Sequence, residues 1–180
     1  MNLFEEPKKL AIIGTAGRGS DAEKLTGGHF EMMVRAAYTH CLNYGFRSFV
    51  SGGAAWSDHV AVALFKYCGF KIELHLPGES QDIATAAKYH AAFSQVLGRD
   101  TLAEVALAYE SNGYSLRKGT FKQRNTRVAN EATHFLAMTF GDGAKVKDGG
   151  TKDTVDKMLA MGKTGWHLDL HDFSLYVVRP

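Results

Sequence analysis

The fold class is decided by one stretch near the start of the chain, Leu10-Ala11-Ile12-Ile13-Gly14-Thr15-Ala16-Gly17-Arg18-Gly19. Its first four residues are all apolar, which is typical of a strand that is buried on both faces. The glycines that follow stop the strand and predict a tight loop. An apolar strand that runs directly into a glycine-rich loop is the usual opening of an α/β sheet, and we predict that fold class.

Further strands and helices alternate along the rest of the chain. The other predicted strands are Ser48–Val50, Lys71–Leu76, His134–Phe140 and Trp166–Leu170, with Phe173–Val178 as either a sixth strand or an edge hairpin. The predicted helices are His29–Tyr44, Val60–Tyr67, Asp82–Leu97, Thr101–Tyr109, Thr120–Ala132 and Thr151–Met161, and Glu110–Gly119 is predicted to be a loop. This order predicts a single domain over residues 1–180, a doubly wound, mostly parallel sheet with helices on both faces.

The composition fits a globular protein and weakens two other classes. The 180 residues are 45% hydrophobic, which is too apolar for a disordered chain. Lys and Arg number 21 against 19 Asp and Glu, a net charge of +2, whereas proteins that rely on non-specific DNA affinity usually carry more excess charge. DNA binding is therefore less favoured, although a local basic patch would still permit it.

Neither the cysteines nor the start of the chain points to secretion. Cys41 and Cys68 lie in apolar helix-like stretches without a CxxC pair, so we expect two reduced, buried thiols. The charged segment Met1–Lys9 lacks the apolar core of a signal peptide, and no apolar run is long enough to span a bilayer. We expect a cytoplasmic protein without membrane association.

Ligands of doubly wound sheets bind at the carboxyl ends of the strands, and the glycine clusters of this chain lie just past predicted strands. After the first strand, Gly14, Thr15 and Gly17 bring backbone amides within reach of a ligand, and Arg18 can pair with a phosphate. The glycine order is GxxGxG and no acidic residue ends the second strand, so a standard NAD-binding fingerprint is absent. The alternative is a tight turn with a solvated arginine.

A second loop joins the second strand to a helix through Ser51, Gly52 and Gly53. Two glycines ahead of a helix N-terminus offer amide groups and the positive end of the helix dipole to an anion. Asp58, at the start of this helix, suits a sugar hydroxyl or a helix cap better than a phosphate. The alternative for this loop is a plain N-cap, provided by Ser57 or by Asp58.

The third element is the basic helix that carries Arg124 and Asn125. The segment Arg117–Arg127 contains no Asp or Glu, and the forked guanidinium of Arg124 lies beside the amide of Asn125 in the sequence. We expect that Arg124→Ala weakens ligand binding with little loss of stability; the alternative is a solvated basic helix face.

The fourth element is Gly149-Gly150-Thr151, which opens the helix after the fourth strand. It repeats the glycine–glycine helix start that the second loop shows.

The second loop, Ser51-Gly52-Gly53-Ala54-Ala55-Trp56-Ser57-Asp58, is similar to the GGAxGxD-type loop and helix of the SMF/DprA–LOG (SLOG) superfamily. Further features recur in similar order in its YpsA-like branch: Leu76-Pro77 followed by Gln81, the Tyr114 loop, Arg124-Asn125, and Gly149-Gly150-Thr151. The resemblance extends from Leu10 to Leu170. It implies a Rossmann-like fold and a site for nucleotides or nucleotide-derived ligands.

The proteins of this superfamily differ in activity. Its LOG enzymes cleave the N-glycosidic bond of nucleoside monophosphates, its DprA members bind single-stranded DNA, and others are proposed sensors of nucleotide signals. Arg124 matches the arginine of the LOG helix motif, but Thr154 stands where the GGxGTxxE stretch has its catalytic Glu, with Asp153 beside it. Trp56 replaces a residue that is usually small, so we expect it to wall the pocket or to stack on a base.

Two hypotheses for the function stay open. A sensor would bind a nucleotide derivative through the amides of the glycine loops, with Arg18 and Arg124 as counter-charges. An N-glycosidase needs a carboxylate near the anomeric carbon; Asp58 and Asp153 are the catalytic candidates, and Asp142 and Asp148 are more distant options. The basic residues of the third element leave DprA-like binding of single-stranded DNA as the alternative. No cofactor is predicted, and we expect a homo-oligomer.

One histidine-containing pattern is set aside. His167, Asp169 and His171 alternate along a predicted strand and would share one of its faces. Such spacing can present metal ligands, but a solvated strand edge explains it equally well. No metal site is predicted.

Overall fold

The computed structural model describes residues 7–111 and 115–180. Its strands are β1 Lys9–Gly14, β2 Ser48–Ser51, β3 Lys71–Leu76, β4 Leu116–Arg117, β5 His134–Thr139, β6 Gly165–Asp169 and β7 Leu175–Val178. In this part of the chain they form one seven-stranded sheet in the order β4-β3-β2-β1-β5-β6-β7.

The strands are parallel except at one edge of the sheet. Strand β1 pairs with β2 on one side and with β5 on the other, where Leu10 lies opposite His134. The strand order therefore reverses between β1 and β5. Strand β7 runs antiparallel to β6, with Val178 opposite Gly165, so the end of the chain forms an edge hairpin. The predicted doubly wound, mostly parallel sheet is confirmed, and the fold is Rossmann-like.

Helices cover both faces of the sheet. Their bounds are α1 Asp21–Lys24, α2 Gly27–Tyr44, α3 His59–Cys68, α4 Ser80–Leu97, α5 Thr101–Glu110, α6 Phe121–Glu131 and α7 Gly150–Ala160. On β1, Leu10 and Ile12 pack into the core formed with α2 to α5, whereas Ala11 and Ile13 pack into the core formed with α6 and α7. Because successive side chains of a strand point to opposite faces, a strand between two helix layers must be apolar throughout.

Local signals in the sequence set the ends of several helices. The side chain of Thr120 accepts a hydrogen bond from the backbone N–H of Gln123, and the Gln123 side chain accepts one from the backbone N–H of Thr120, so α6 begins with a capping box. Gly45 ends α2 in the left-handed conformation with a φ of 74°. These ends determine where the chain returns to the sheet.

Several sequence-based expectations are wrong or fall outside the described residues. Strand β4 lies in the predicted loop Glu110–Gly119, because its two exposed residues lack an apolar pattern and form a strand only through pairing with β3. The short helix α1 is also missing from the prediction. Cys41 is buried as expected, but Cys68 is exposed at the end of α3. The Tyr114 loop lies outside the described residues. No helix in residues 7–111 and 115–180 combines the length and the apolar character needed to cross a bilayer.

Candidate functional site

A cleft of about 290 Å³ opens at the carboxyl ends of β1, β2 and β5. It lies where the strand order reverses, which is the usual ligand position in open α/β sheets. All four predicted elements contribute to its lining, through Gly14, Thr15, Arg18, Gly52, Asp58, Arg124, Asn125, Gly149, Gly150 and Thr151. The elements therefore meet at one edge of the sheet, and ligand binding by these residues stays a prediction.

The loop after β1 is held by a buried carboxylate. Thr15 donates its hydroxyl to Oδ2 of Asp21 at 2.6 Å and accepts the backbone N–H of Gly17 at 3.2 Å. Oδ1 of Asp21 pairs with Nζ of Lys147 at 2.5 Å. Because Lys147 belongs to the segment after β5, this ion pair links two walls of the cleft.

Gly14 is required by the packing of the neighbouring loop. A Cβ atom at Gly14 would lie 2.1 Å from the carbonyl oxygen of Met138 and 2.6 Å from Cβ of Ser57. The hydroxyl of Ser57 also donates to the Met138 carbonyl at 3.0 Å. The loop after β2 thus closes directly onto the ends of β1 and β5, and a side chain at Gly14 would separate them.

Arg124 reaches from α6 to the loop after β2. Its Nη1 donates to the carbonyl oxygen of Gly52 at 2.7 Å and lies 3.6 Å from Oδ2 of Asp58. A Cβ atom at Gly52 would lie only 2.0 Å from that Nη1. Gly52 therefore makes room for the guanidinium, a reason for glycine that the sequence alone does not reveal.

Asp58 is a buried carboxyl group of the cleft. Its side chain makes no capping hydrogen bond to α3 and instead accepts the backbone N–H of Ala54 at 3.4 Å. The plain N-cap interpretation of this residue is therefore wrong. Burial raises the pKa of Asp58, although Arg124 and nearby backbone N–H groups oppose the rise.

The burial of Arg124 argues against the expectation that its removal spares the fold. Desolvation lowers the pKa of Arg124 despite the opposing charge of Asp58. The Arg124→Ala change would leave Asp58 without its buried partner, a loss that costs about 3–5 kcal/mol in typical proteins. This substitution would therefore report on folding and on ligand binding at once.

Helix α7 begins at the cleft with two glycines. Gly149, before the helix, has a φ of 132°, which side chains rarely adopt. Thr151 donates its hydroxyl to the carbonyl oxygen of Gly14 at 2.8 Å, and Nδ2 of Asn125 donates to the carbonyl oxygen of Gly150 at 3.3 Å. Gly149, at the N-cap position, has no side chain that can cap α7. The first N–H groups of α7 and the positive end of its dipole suit an anion.

Arg18 is an exposed guanidinium in the lining of the cleft. Its Cζ lies 5.0 Å from the ring centroid of Tyr89 and 5.2 Å from that of Phe121. Within residues 7–111 and 115–180, no carboxylate forms an ion pair with it. Its charge also contributes to the lowered pKa of Arg124. This part of the cleft thus carries positive charge that can receive an anion.

Five predicted site residues do not line the cleft: Gly17, Ser51, Gly53, Trp56 and Asp153. Trp56 is only 5% exposed and its ring lies 4.5 Å from that of Phe93. It belongs to the core and is not placed to stack on a base in the cleft. Asp153 pairs with Lys157 on α7, so it does not bring a catalytic carboxylate to the cleft.

The other three residues shape the loops. The hydroxyl of Ser51 donates to the carbonyl oxygen of Asp58 at 3.1 Å and accepts the backbone N–H of Gly53 at 3.3 Å. A Cβ atom at Gly17 would lie 2.6 Å from Nε1 of Trp56, so this glycine lets the indole pack under the first loop. These contacts hold the loops that form the cleft, although the three residues do not line it themselves.

Sequence reasoning missed Asp21, Phe121 and Lys147, which also line the cleft. Asp21 carries a signal, since a serine followed by an acidic residue just after the glycine loop favours a helix start. Phe121 is marked by its position as the aromatic residue of the acid-free segment Arg117–Arg127. Lys147 has no local signal, because it meets Asp21 only through the pairing of β1 with β5.

His167 and its neighbours make hydrogen bonds within the fold. The ring of His167 lies 2.9 Å from the hydroxyl of Thr139 through Nε2 and 2.5 Å from the carbonyl oxygen of Gly143 through Nδ1. Oδ1 of Asp169 accepts the backbone N–H of His171 at 3.0 Å. Among the described residues, no group of three His, Cys, Asp or Glu side chains is arranged to hold a metal ion.

Sequence comparison finds a viral relative of this chain. No model of a known protein family matches it. It is 31% identical over 181 residues to "Uncharacterized protein R261" of Acanthamoeba polyphaga mimivirus, with 91% of this chain and 97% of the relative aligned. The chain belongs to the R261 family. The name of R261 states no activity, so the function of the R261 family has to be argued from the cleft.

Structure comparison gives a weaker similarity to a solved structure. The X-ray structure of TM1055, a target of the Northeast Structural Genomics Consortium, aligns with 88% of this chain and 72% of its own. The sequence identity is 15% and the TM-score is 0.45. The assignment of the fold therefore rests on the strand order and on the two helix layers.

Proposed function

We propose that the cleft binds a nucleotide or a nucleotide-derived ligand. The observation that carries this proposal is a single cleft lined by the glycine start of α7, by two glycine-rich loops and by the guanidinium of Arg18, which forms no ion pair with a carboxylate of the described residues. Backbone N–H groups and Arg18 suit a phosphate, whereas the buried carboxyl group of Asp58 suits a sugar hydroxyl. A phosphorylated sugar carries both kinds of group.

The resemblance to the SLOG superfamily, and to its YpsA-like branch, supports the same ligand class. The segments that carry the resemblance include the loop after β2, the middle of α6 and the start of α7, and each contributes to the cleft. The proposal includes a single domain, a cytoplasmic location and a homo-oligomeric assembly.

A sensor and an N-glycosidase are the two alternatives within this proposal. Base release needs an acid or a carboxylate beside the glycosidic bond. Asp58 is the candidate, because it is a buried carboxyl group that lines the cleft, and burial favours the protonated form that a general acid needs. Asp21 is already bonded to Thr15 and Lys147, which suits a structural role.

The ligand can be identified directly. Freshly purified protein would be denatured and the released small molecules analysed by mass spectrometry. Calorimetric titrations would follow with AMP, GMP, CMP, UMP, ribose 5-phosphate and a single-stranded oligonucleotide. We expect saturable binding of at least one monophosphate. Binding of the oligonucleotide alone would favour the DNA-binding alternative, and binding of none of these phosphates would contradict the proposal.

Asp58→Asn separates the enzyme from the sensor. In an N-glycosidase this change should abolish base release while the ligand still binds, since the lost acid acts on the transition state. Asp153→Asn is the matched control outside the cleft and should release base at the parental rate. Released base would be measured by chromatography. If the parent protein releases no base from any ligand that it binds, the sensor alternative stands.

A further inference from the structure

A second cavity of about 160 Å³ adjoins the cleft, between α4, α5 and the end of β3. Its apolar lining includes Leu76, Ile83, Ala87, Leu102 and Val105. It shares Gly52, Ala54, Phe121 and Arg124 with the cleft. The two spaces are therefore neighbours, and Phe121 and Arg124 stand where they meet.

His90 also lines the second cavity, but its hydrogen-bonding capacity is used. Its Nε2 lies 2.9 Å from the carbonyl oxygen of Gly53, and its Nδ1 lies 2.9 Å from the hydroxyl of Thr101. Because a carbonyl only accepts, Nε2 donates to Gly53 and Nδ1 accepts from Thr101. Burial lowers the pKa of His90 to about 4, so the ring is neutral near neutral pH. His90 therefore brings neither a charge nor a free N–H to an occupant.

The shared boundary suits a flat group. Cζ of Arg124 lies 5.2 Å from the ring centroid of Phe121. Arg117 also lines the second cavity, and its Cζ lies 5.6 Å from the ring centroid of Tyr109. Guanidinium planes and aromatic faces both stack on planar rings. An apolar space with such a boundary favours an aromatic ring over a sugar or a phosphate.

We propose that the second cavity holds the aromatic base of the ligand whose sugar phosphate occupies the cleft. An apolar protein cavity of about 150 Å³ can hold benzene, so the available volume accommodates an aromatic ring. Since His90 offers no free hydrogen bond, the ring is held by apolar contact and stacking. This inference rests on the proposed function and adds the position of the base to it.

Cavity-filling variants test the proposal from two helices. Ala87→Leu on α4 and Ala106→Leu on α5 add bulk to residues that line the second cavity. Ala91→Leu and Ala103→Leu add the same side chain at positions of the same helices that do not line the cavity, and they serve as controls. Each protein would be titrated with the four nucleoside monophosphates and with ribose 5-phosphate, which lacks a base.

We expect the tightest monophosphate to bind the parent protein about tenfold more tightly than ribose 5-phosphate, which is the scale of one stacked base. Both cavity variants should lose most of this difference and keep the parental affinity for ribose 5-phosphate. Both controls should behave as the parent protein. Thermal melting would identify any variant that does not fold. If one cavity variant does not fold, the cavity variant on the other helix tests the proposal.

Two outcomes would overturn the proposal while leaving the proposed function in place. One is equal affinity of the parent protein for ribose 5-phosphate and for every monophosphate. The other is a folded cavity variant that binds the monophosphates as the parent does. If the parent protein binds neither ribose 5-phosphate nor any monophosphate, the proposed function fails and this inference fails with it.

Discussion

Arg18 and Arg124 both line the cleft, but their burial differs, and this difference decides what each substitution can test. Arg124 donates to Gly52 and pairs with Asp58, so it is part of the folded framework. Arg18 is exposed and its contacts are with the faces of aromatic rings. A change at Arg18 therefore reports on the ligand more cleanly than a change at Arg124.

We expect Arg18→Ala to weaken phosphate-ligand binding by about 1.5–3 kcal/mol, the scale of a charge-assisted hydrogen bond. The free energy of unfolding should fall by only about 0.5–1 kcal/mol, the scale of an exposed cation–π contact. Calorimetry and urea denaturation would measure the two effects. Arg35→Ala, at an exposed position of α2, is the control for charge loss alone. Unchanged affinity for every ligand of the parent protein would exclude Arg18 from the site.

Gly52→Ala should destabilise the protein although only one methyl group is added. Its Cβ would lie 2.0 Å from Nη1 and 2.7 Å from Cδ of Arg124, so the buried side chain must move. Overpacking of this kind costs about 1–3 kcal/mol. Gly27→Ala is the control, since a Cβ there meets no atom within 4 Å. A melting temperature equal to that of the Gly27→Ala variant would show that Arg124 relocates without cost.

At the scale of elements, the cleft depends on how α7 is attached to β1. The connection is the hydrogen bond from Thr151 to the carbonyl oxygen of Gly14, which joins the start of the helix to the end of the central strand. The amide of Asn125 adds a link from α6 to the same helix start. The anion-binding end of α7 is thus positioned by side chains from its own first turn and from its neighbour.

We expect Thr151→Val to lower the free energy of unfolding by about 1 kcal/mol, the usual net value of one hydrogen bond. Ligand affinity should fall as well, because the N–H groups of α7 lose their fixed position. Thr85→Val, which removes a local hydroxyl bond within α4, is the matched control. A loss of stability in both variants with full ligand affinity in the Thr151 variant would contradict this role.

The elements that could be predicted are those whose residues carry their own pattern. Strand β1 is apolar because helices cover both of its faces, and the capping signal at Thr120 marks the start of α6. Strand β4 has no such pattern, because Leu116 and Arg117 become a strand only beside β3. Helix α1 is a single short turn after a glycine loop, and such a turn leaves no periodicity to detect.

The same distinction applies to the site. The glycine loops could be placed at one edge because the carboxyl ends of parallel strands meet there. The direction of individual side chains could not be predicted from the sequence. Trp56 packs into the core against Phe93, and Asp153 pairs with Lys157. The ion pair of Asp21 with Lys147 joins residues far apart in the sequence, so no local sequence pattern predicts it.

For the molecule as a whole, buried histidines make stability depend on acid. His40 is 3% exposed, and both of its ring nitrogens lack a hydrogen-bond partner within the described residues. Burial lowers its pKa from 6.5 to about 4, and the nearby charge of His134 adds to this. Burial lowers the pKa of His90 to about 4 as well. Between pH 6.5 and about pH 4, these two histidines therefore bind protons in the unfolded chain but not in the folded protein.

We therefore expect the stabilisation that these two histidines provide to be complete above pH 6.5 and to be lost progressively as the pH falls toward 4. Each histidine contributes at most about 3 kcal/mol to this loss. The hydrogen bond from His59 lowers the pKa of Glu104 to about 2, which extends the loss to more acidic conditions. Urea denaturation across this range would measure the effect. A His40→Phe variant should show a weaker pH dependence, and an unchanged dependence would exclude His40 as a source.

The order of the strands divides the cleft between the two halves of the chain. The loops after β1 and β2 come from the first half, whereas α6 and the start of α7 come from the second, and the central pairing of β1 with β5 joins the halves. A cut in the turn at residues 98–100, between α4 and α5, would give two fragments that each carry part of the site. A ligand that binds only when the two fragments are joined favours their association. The two fragments of this chain would therefore serve as a split reporter for that ligand.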